Sequence, residues 1–348
     1  MSTKKKNILA RARIAIGAIS KNVIDATVEL ARELDQPLML IPSRNQIDCS
    51  ENGGGYCENW NTAEFAAYVR SQDAHNILLC RDHCGPYFRG NERSLSLEDA
   101  VSAAKRTIEH DITAGFDLIH IDTCFVKDDQ IGLARELVGF AQALAEAQKK
   151  EVYFEVGTDE NIGAAMPPEA FKRYLDSVME FIAPEFIVGQ TGSLTLERYQ
   201  IGNFNADYVR KICAICSAYN VRFKEHNCDY LDRYDIALRA ETGVGAINIA
   251  PELGVLETKI IMNTARKLGF ITELNAFEQK VIHSDKWKKW QYSATLSDEN
   301  KFLIAGHYFF SDEAVHSLKN LIAKHLPLDA QIKQVLKARI QEFVEGMA

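Results

Sequence analysis

Ala114-Gly115-Phe116-Asp117-Leu118-Ile119-His120-Ile121-Asp122 contains one repeat of the chain's organisation: a glycine stop, a short apolar run and a carboxylate at its end. Glycine ends helices because it enters the left-handed backbone region without a side-chain clash, and the Leu-Ile-His-Ile run reads as a strand. Similar β-rich stretches recur outward in both directions. They are Arg13 to Ile16, Leu38 to Ile41, Asn76 to Cys80, Leu118 to Ile121, Glu151 to Val156, Glu185 to Gly189, Val221 to Lys224 and Ala246 to Ile249. Their starts lie about 25 to 40 residues apart, the length of a strand, a helix and two loops. The segments between them have helical periodicity. In Lys21 to Leu34, Val23, Ala26, Thr27 and Leu30 share one face while Lys21, Glu29 and Arg32 face water. Leu133 to Gln148 and Ala206 to Tyr219 follow the same rule.

Strands that are apolar on both faces and alternate with helices imply a parallel sheet covered by helices. Eight such units favour closure into an α/β (β/α)8 TIM barrel. A doubly wound open sheet would want a glycine-rich phosphate turn after one strand. Gly53-Gly54-Gly55 and Gly243-Val244-Gly245 fit neither the dinucleotide nor the nucleotide-triphosphate pattern. The barrel is expected over residues 1–267, with a helical C-terminal extension over 268–348. In that extension Ile332, Val335, Leu336, Ile340 and Phe343 form an apolar stripe that requires cover from the barrel or from a partner subunit.

Of 348 residues, 47% are hydrophobic and 25% charged, which excludes disorder. The net charge of −8 disfavours a nucleic-acid surface, which needs a basic face. No apolar run reaches the ~20 residues that cross a bilayer. Arg11 and Arg13 interrupt the stretch behind Lys4, Lys5 and Lys6, so a signal peptide is not expected and a cytoplasmic location is. The eight scattered cysteines suit a reducing compartment, and Cys213-x-x-Cys216 reads as a pair of buried structural thiols on a helix. Lys286-Trp287-Lys288-Lys289-Trp290 reads as a helix end or subunit contact rather than a base-stacking surface.

Parallel barrels perform chemistry at the C-terminal ends of their strands. Polar residues gather there: Ser43, Arg44, Asn45, Gln46 and Asp48 after the second stretch, Asp82 and His83 after the third, and Asp122 after the fourth. Glu155 lies in the fifth, followed by Thr158-Asp159-Glu160; Gln190, then His226 and Asp229, then Asn248 and Glu252 belong to the sixth to eighth. Imidazoles and carboxylates converging from separate strands can hold Zn²⁺, or Mn²⁺, while leaving a position for substrate. His83, His226 and Glu155 are the expected ligands. An unpaired carboxylate buried in a parallel strand is otherwise costly. His120, inside a strand, reads as a residue supporting the site or as a satisfied core histidine.

The chain resembles the GatZ/KbaZ family, the so-called non-catalytic subunits of class II D-tagatose-1,6-bisphosphate aldolase. The resemblance lies in Ser43-Arg44-Asn45-Gln46-Ile47-Asp48, Arg81-Asp82-His83-Cys84-Gly85-Pro86, Ala114 to Asp122, Glu155-Val156-Gly157-Thr158, Lys224-Glu225-His226-Asn227-Cys228-Asp229-Tyr230 and Asp285 to Trp290. It implies a TIM barrel related to metal-dependent class II aldolases. Asp82 then matches the proton-transferring carboxylate, His83 and His226 match metal ligands, and Asp122 and Glu155 match catalytic carboxylates near the metal. A ligand histidine after the sixth strand and a Gly/Ser-rich phosphate loop after the seventh are missing, so a bisphosphate substrate is not expected.

Two functions follow. One is a metal-dependent enzyme acting on a ketose by retro-aldol and aldol chemistry, as a C–C lyase or 4-epimerase, with Ser43, Asn45, Gln46, Asp48, Gln190, Asp229 and Asn248 contacting the sugar. The other is a silent barrel that stabilises a separate class II aldolase subunit. A homo-oligomer is expected in either case.

Overall fold

In the computed structural model, which describes residues 2–73, 75–157 and 165–348, eight parallel strands close into a barrel. They are β1 (Ile14–Ile16), β2 (Leu38–Leu40), β3 (Ile77–Cys84), β4 (Leu118–Asp122), β5 (Tyr153–Gly157), β6 (Phe186–Val188), β7 (Arg222–Glu225) and β8 (Ala246–Ile249). Each pairs with its sequence neighbours, and β1 pairs with β8 to close the ring. All eight expected strands are present. A two-residue-per-strand hairpin, Thr195–Leu196 with Tyr199–Gln200, is added after β6. The polar run Thr158-Asp159-Glu160 lies outside the described residues.

Side chains alternate between the two faces of each strand, and this sorts the core into layers. Ile14, Ile16, Leu38, Leu40, Ile77, Leu79, Val156, Ile187, Phe223, Ile247 and Ile249 face outward into the helix layer. Ala15, Met39, Leu78, Cys80, Leu118, Phe186 and Ala246 fill the lower interior. A helix over Ser2–Arg11, which no periodicity in the sequence announces, closes the bottom with Leu9 packed into this layer. The Arg222 guanidinium donates to the carbonyls of Leu9, Ala10 and Ala12 and fastens the plug. One level higher the interior becomes polar, with His120, Glu155, Lys224 and Asn248 all buried.

Strand β3 departs from regular pairing. Its register with β4 shifts between Arg81 and Cys84, and His83 takes a φ of +45°. Such a bulge re-aims side chains. Consecutive residues of a regular strand point to opposite faces, yet here Asp82 and His83 both reach the barrel mouth. Gly85 follows because a Cβ there would lie 1.6 Å from the Asp122 carbonyl oxygen.

The tail folds back onto the barrel as helices Ile271–His283, Asp298–Ala305, Glu313–Ala323 and Leu328–Gly346. The last packs on helices Lys21–Glu33, Arg233–Glu241 and Pro251–Leu268, so it lies over the seam between β1 and β8. Ile332, Leu336, Ile340 and Phe343 are fully buried, whereas Val335 is 41% exposed and drops out of the expected stripe. At about 100° per residue it sits on the flank of the line set by the other four. Leu336→Ala should therefore cost about 2–5 kcal/mol, the range for truncating a packed leucine. The check is urea unfolding of both proteins; a loss below about 0.5 kcal/mol, the surface-substitution range, would show that the tail is not part of the core.

Candidate active site

The barrel mouth brings three imidazoles together. His83, His120 and His226 have ring centroids 4.9 to 5.1 Å apart, and Asp82 completes a group whose ligating atoms all lie within 4.8 Å of one another. His83 Nδ1 lies 2.7 Å from Asp122 Oδ2, and His226 Nε2 lies 2.9 Å from Glu155 Oε1. Each carboxylate accepts the N–H of the ring nitrogen it faces, which leaves a lone pair on the other nitrogen. Those two nitrogens, His83 Nε2 and His226 Nδ1, stand 3.3 Å apart. Nitrogens held ~2.0–2.1 Å from a tetrahedral Zn²⁺ stand about 3.3–3.4 Å apart, so the pair has the spacing and the electron pairs that a divalent metal takes.

The fit extends to the other groups. Burial pushes the pKa of His120 and His226 well below the ordinary histidine value, which keeps both neutral as ligation requires. His120 Nε2 is buried with no hydrogen-bond partner among the described residues. Asp82 Oδ1 lies 3.7 Å from His83 Nε2 and 3.9 Å from His226 Nδ1, and the Asn248 amide reaches it at 3.4 Å. Burial raises the Asp82 pKa, opposed by His83 and Lys224, so its carboxyl holds a proton more readily than an exposed aspartate.

Glu155, expected as a metal ligand, lies outside the four-residue group. Its Oε2 accepts from Lys224 Nζ at 2.5 Å and its Oε1 holds His226, so both oxygens are engaged beneath the cluster. His120, expected as a support, takes the place among the converging atoms. The β4–β5 register pairs His120 with Glu155, and the alternation of β4 sends His120 inward with Leu118 and Asp122. Lys224 was missed; a lysine inside a buried strand was the available signal.

The expected sugar contacts divide. Ser43 bridges Asp82 and is half-buried at the mouth, with Asn248 opposite and Gln190 at the end of β6. Gln46 accepts from the Ser43 N–H, and exposed Asn45 ties its loop to the Phe88 carbonyl. Asp48 is not at the mouth. It is wholly buried behind the rim, where it accepts from Thr107, Arg44 and Arg89. Arg44 also pairs with Glu92, and Arg81 with Asp111, so these arginines are consumed by structure. Asp229 is likewise structural: its Oδ1 accepts from the Ala250 and Glu252 N–H groups and caps helix Pro251–Leu268. That helix start follows β8, where TIM barrels often bind phosphate. Here the Asp229 carboxyl group fills that position.

By fold the chain is a (β/α)8 TIM barrel. Residues 1–167 match the family described as D-tagatose-1,6-bisphosphate aldolase subunit GatZ/KbaZ-like, in agreement with the resemblance carried by the sequence. No curated protein matches the chain. A structure described as a probable tagatose 6 phosphate kinase from Sinorhizobium meliloti 1021 superposes with a TM-score of 0.75 at 17% identity, covering 97% of this chain and 94% of that one. Fructuronate-tagaturonate epimerase UxaE from Cohnella laeviribosi gives 0.62 at 12%, covering 97% and 81%. The YdjI aldolase from Escherichia coli K12 gives 0.52 at 13%, covering 90% and 93%. At these identities the likeness is one of fold. Among the described residues no helix is long and apolar enough to cross a membrane.

Asp229 also generates a pH prediction. Burial, and then Glu252, raise its pKa to about 7. The folded state therefore holds this proton more tightly than the unfolded chain, where aspartate titrates near pH 4. Its contribution to stability is complete below about pH 4 and is lost as pH rises through about 7. Between pH 5 and pH 8, the wild type should lose more stability than Asp229→Asn in paired urea titrations. Parallel losses would refute the assignment.

Proposed function

We propose that the chain is a metal-dependent sugar enzyme that makes and breaks a C–C bond of a ketose, as a lyase or 4-epimerase. The observation that carries this reading is the 3.3 Å approach of His83 Nε2 and His226 Nδ1, each ring held by a carboxylate on its far nitrogen. His83, His226 and His120 are the residues to hold the metal, zinc or manganese. Bound there, it would polarise the ketose carbonyl and stabilise the negative charge that develops on that oxygen.

The protein's own groups do the rest. Asp82 takes the proton of the C4 hydroxyl as the C3–C4 bond breaks, and the bonding pair moves toward the carbonyl while C4 becomes an aldehyde. Its raised pKa suits a group that must both accept and return a proton. Asn248 steadies the Asp82 carboxylate. Asp122 and Glu155 orient His83 and His226 and do not themselves touch the sugar. Release of the aldehyde, followed by protonation of the remaining enediolate at C3, gives a lyase; return of the aldehyde's other face, with Asp82 giving the proton back, gives the 4-epimer. Ser43 and Gln190, half-buried on the same rim, would contact sugar hydroxyls. The capped helix after β8 supports a substrate that is not a 1,6-bisphosphate.

The family description, an aldolase subunit, favours a second reading: a barrel that stabilises a separate class II aldolase chain. Two measurements separate the readings. Elemental analysis should find about one Zn²⁺ or Mn²⁺ per chain, as a single site of this donor set requires; His83→Ala should lose most of it without unfolding. Equal metal in both proteins would remove His83 as a ligand. On a panel of ketoses, free and phosphorylated, Asp82→Asn should lower turnover by about 10² or more at unchanged melting temperature, the usual scale of general acid–base catalysis. No turnover by the metal-loaded chain on any sugar would favour the helper.

A further inference from the structure

Lys286-Trp287-Lys288-Lys289-Trp290 is used neither by the barrel core nor by the imidazole cluster, yet the tail returns it to the mouth. The Glu197 N–H donates to the Trp290 carbonyl at 2.7 Å, and the Glu197 carboxylate accepts from the N–H groups of Tyr292 and Ser293. Glu197 lies in the hairpin after β6, where the Thr195 hydroxyl and Gln200 amide reach the carbonyl of Asn227, next to His226. On the other side, the Tyr308 ring meets Tyr56 edge-on at 5.0 Å. Tyr56 belongs to the loop after β2 and donates its N–H to the Asn45 carbonyl. The segment thus joins the loops after β2 to those after β6 and β7, closing the rim on the β8–β1 side.

Lys286 Nζ stands 5.2 Å from the Tyr308 ring centre and 5.0 Å from that of Phe309. Lys289 Nζ stands 4.7 Å from Trp290 and 5.1 Å from Tyr308. Ring faces hold ammonium groups in place without neutralising them. Lys288 between them pairs with Asp285, but Lys286 and Lys289 have no ion-pair partner among the described residues, and the charge of the hairpin's Arg198 falls on its neighbour Glu197. Lys286 and Lys289 are thus two cations without a carboxylate on one stretch of chain, in a protein of net charge −8. The Lys286 pKa is lowered by burial and then by the charge of Lys289, a like-charge strain that an anion would relieve. Nearby polar groups also lack partners: the buried Tyr230 hydroxyl, which feels the Arg198 charge, and His307 Nδ1, in a ring beside Tyr308.

We propose that Lys286 and Lys289, both packed on the Tyr308 ring, form an anion-binding subsite that receives the charged end of the sugar, a phosphate or carboxylate group. The subsite rests on the reading of the mouth as a sugar site, and it replaces the helix N-terminus that Asp229 occupies. One anionic group is accommodated there, which accords with a substrate that is not a bisphosphate.

The test reads binding first, without turnover. Inorganic phosphate and D-glucuronate are titrated into the full chain at low ionic strength, with the fluorescence of Trp287 and Trp290 as the signal. At least one probe should give a saturable change that weakens tenfold or more in Lys286→Gln/Lys289→Gln and persists in the control Lys149→Gln/Lys211→Gln. The tighter probe identifies the group, phosphate or carboxylate. No saturable response in the wild type, or equal affinity in the subsite variant, would overturn the proposal. Turnover separates it from the sugar-enzyme reading. The subsite variant should raise KM tenfold or more for a ketose carrying the tighter group, leaving kcat and the KM of a neutral ketose unchanged. An unchanged KM for the charged ketose overturns the subsite. A chain that binds the probe through these lysines but turns over no ketose supports the subsite and rejects the enzyme.

Discussion

Lys224 and Glu155 meet in the barrel interior, each 1% exposed, and the mouth is built upward from that pair. Taking two such charges out of water costs several kcal/mol per ion, and only close geometry with further hydrogen bonds offsets it. Here the Nζ–Oε2 contact is 2.5 Å and the second carboxylate oxygen is engaged by His226. The pair thereby decides which nitrogen of His226 faces the mouth, and through it the contact with His83. Asp82 feels the same charges, since Lys224 lowers and Glu155 raises its pKa. One buried ion pair thus sets tautomer, orientation and proton affinity in residues of β3 and of the turn directly after β7.

The fold was legible because each barrel strand is an apolar run bounded by turn residues, and because strand and helix periodicities alternate without interruption. What escaped was tertiary. The helix over Ser2–Arg11 carries few apolar residues and is held by what it plugs, with Leu9 entering the barrel floor. The hairpin after β6 has two-residue strands, too short for any period to show. The convergence of Asp82, His83, Asp122 and His226 at the mouth was legible because they lie at or next to strand ends. His120 and Glu155 exchanged their expected places because both lie inside strands, where only register reveals which atoms converge. Asp48 and Asp229 also follow strand ends, but loops there carry their own unsatisfied N–H groups and buried guanidinium groups, and these two carboxylates serve them.

The mouth is assembled from two parts of the chain with different constraints. The imidazoles sit on strands, where packing on both faces leaves little freedom, and the bulge in β3 places Asp82 and His83 without lengthening any loop. The rest of the rim is closed by loops and by the tail, joined by hydrogen bonds such as the Glu197 N–H to the Trp290 carbonyl and the Ser311 hydroxyl to the Tyr56 carbonyl. Chemistry can thus stay fixed on the strands while the loops and tail vary around it.

The helix over Leu328–Gly346 lies across the seam, and its Asp329 bonds Asn22 over a separation of 307 residues. During synthesis the first strand and its helix leave the ribosome long before the partners that cover them exist. An uncovered strand edge and a bare apolar helix face are the features on which unfinished chains associate wrongly. Because contacts so distant in sequence also form slowly, the nascent barrel spends its growth as an open, sticky sheet. Its escape from aggregation is governed by how soon the last helix arrives.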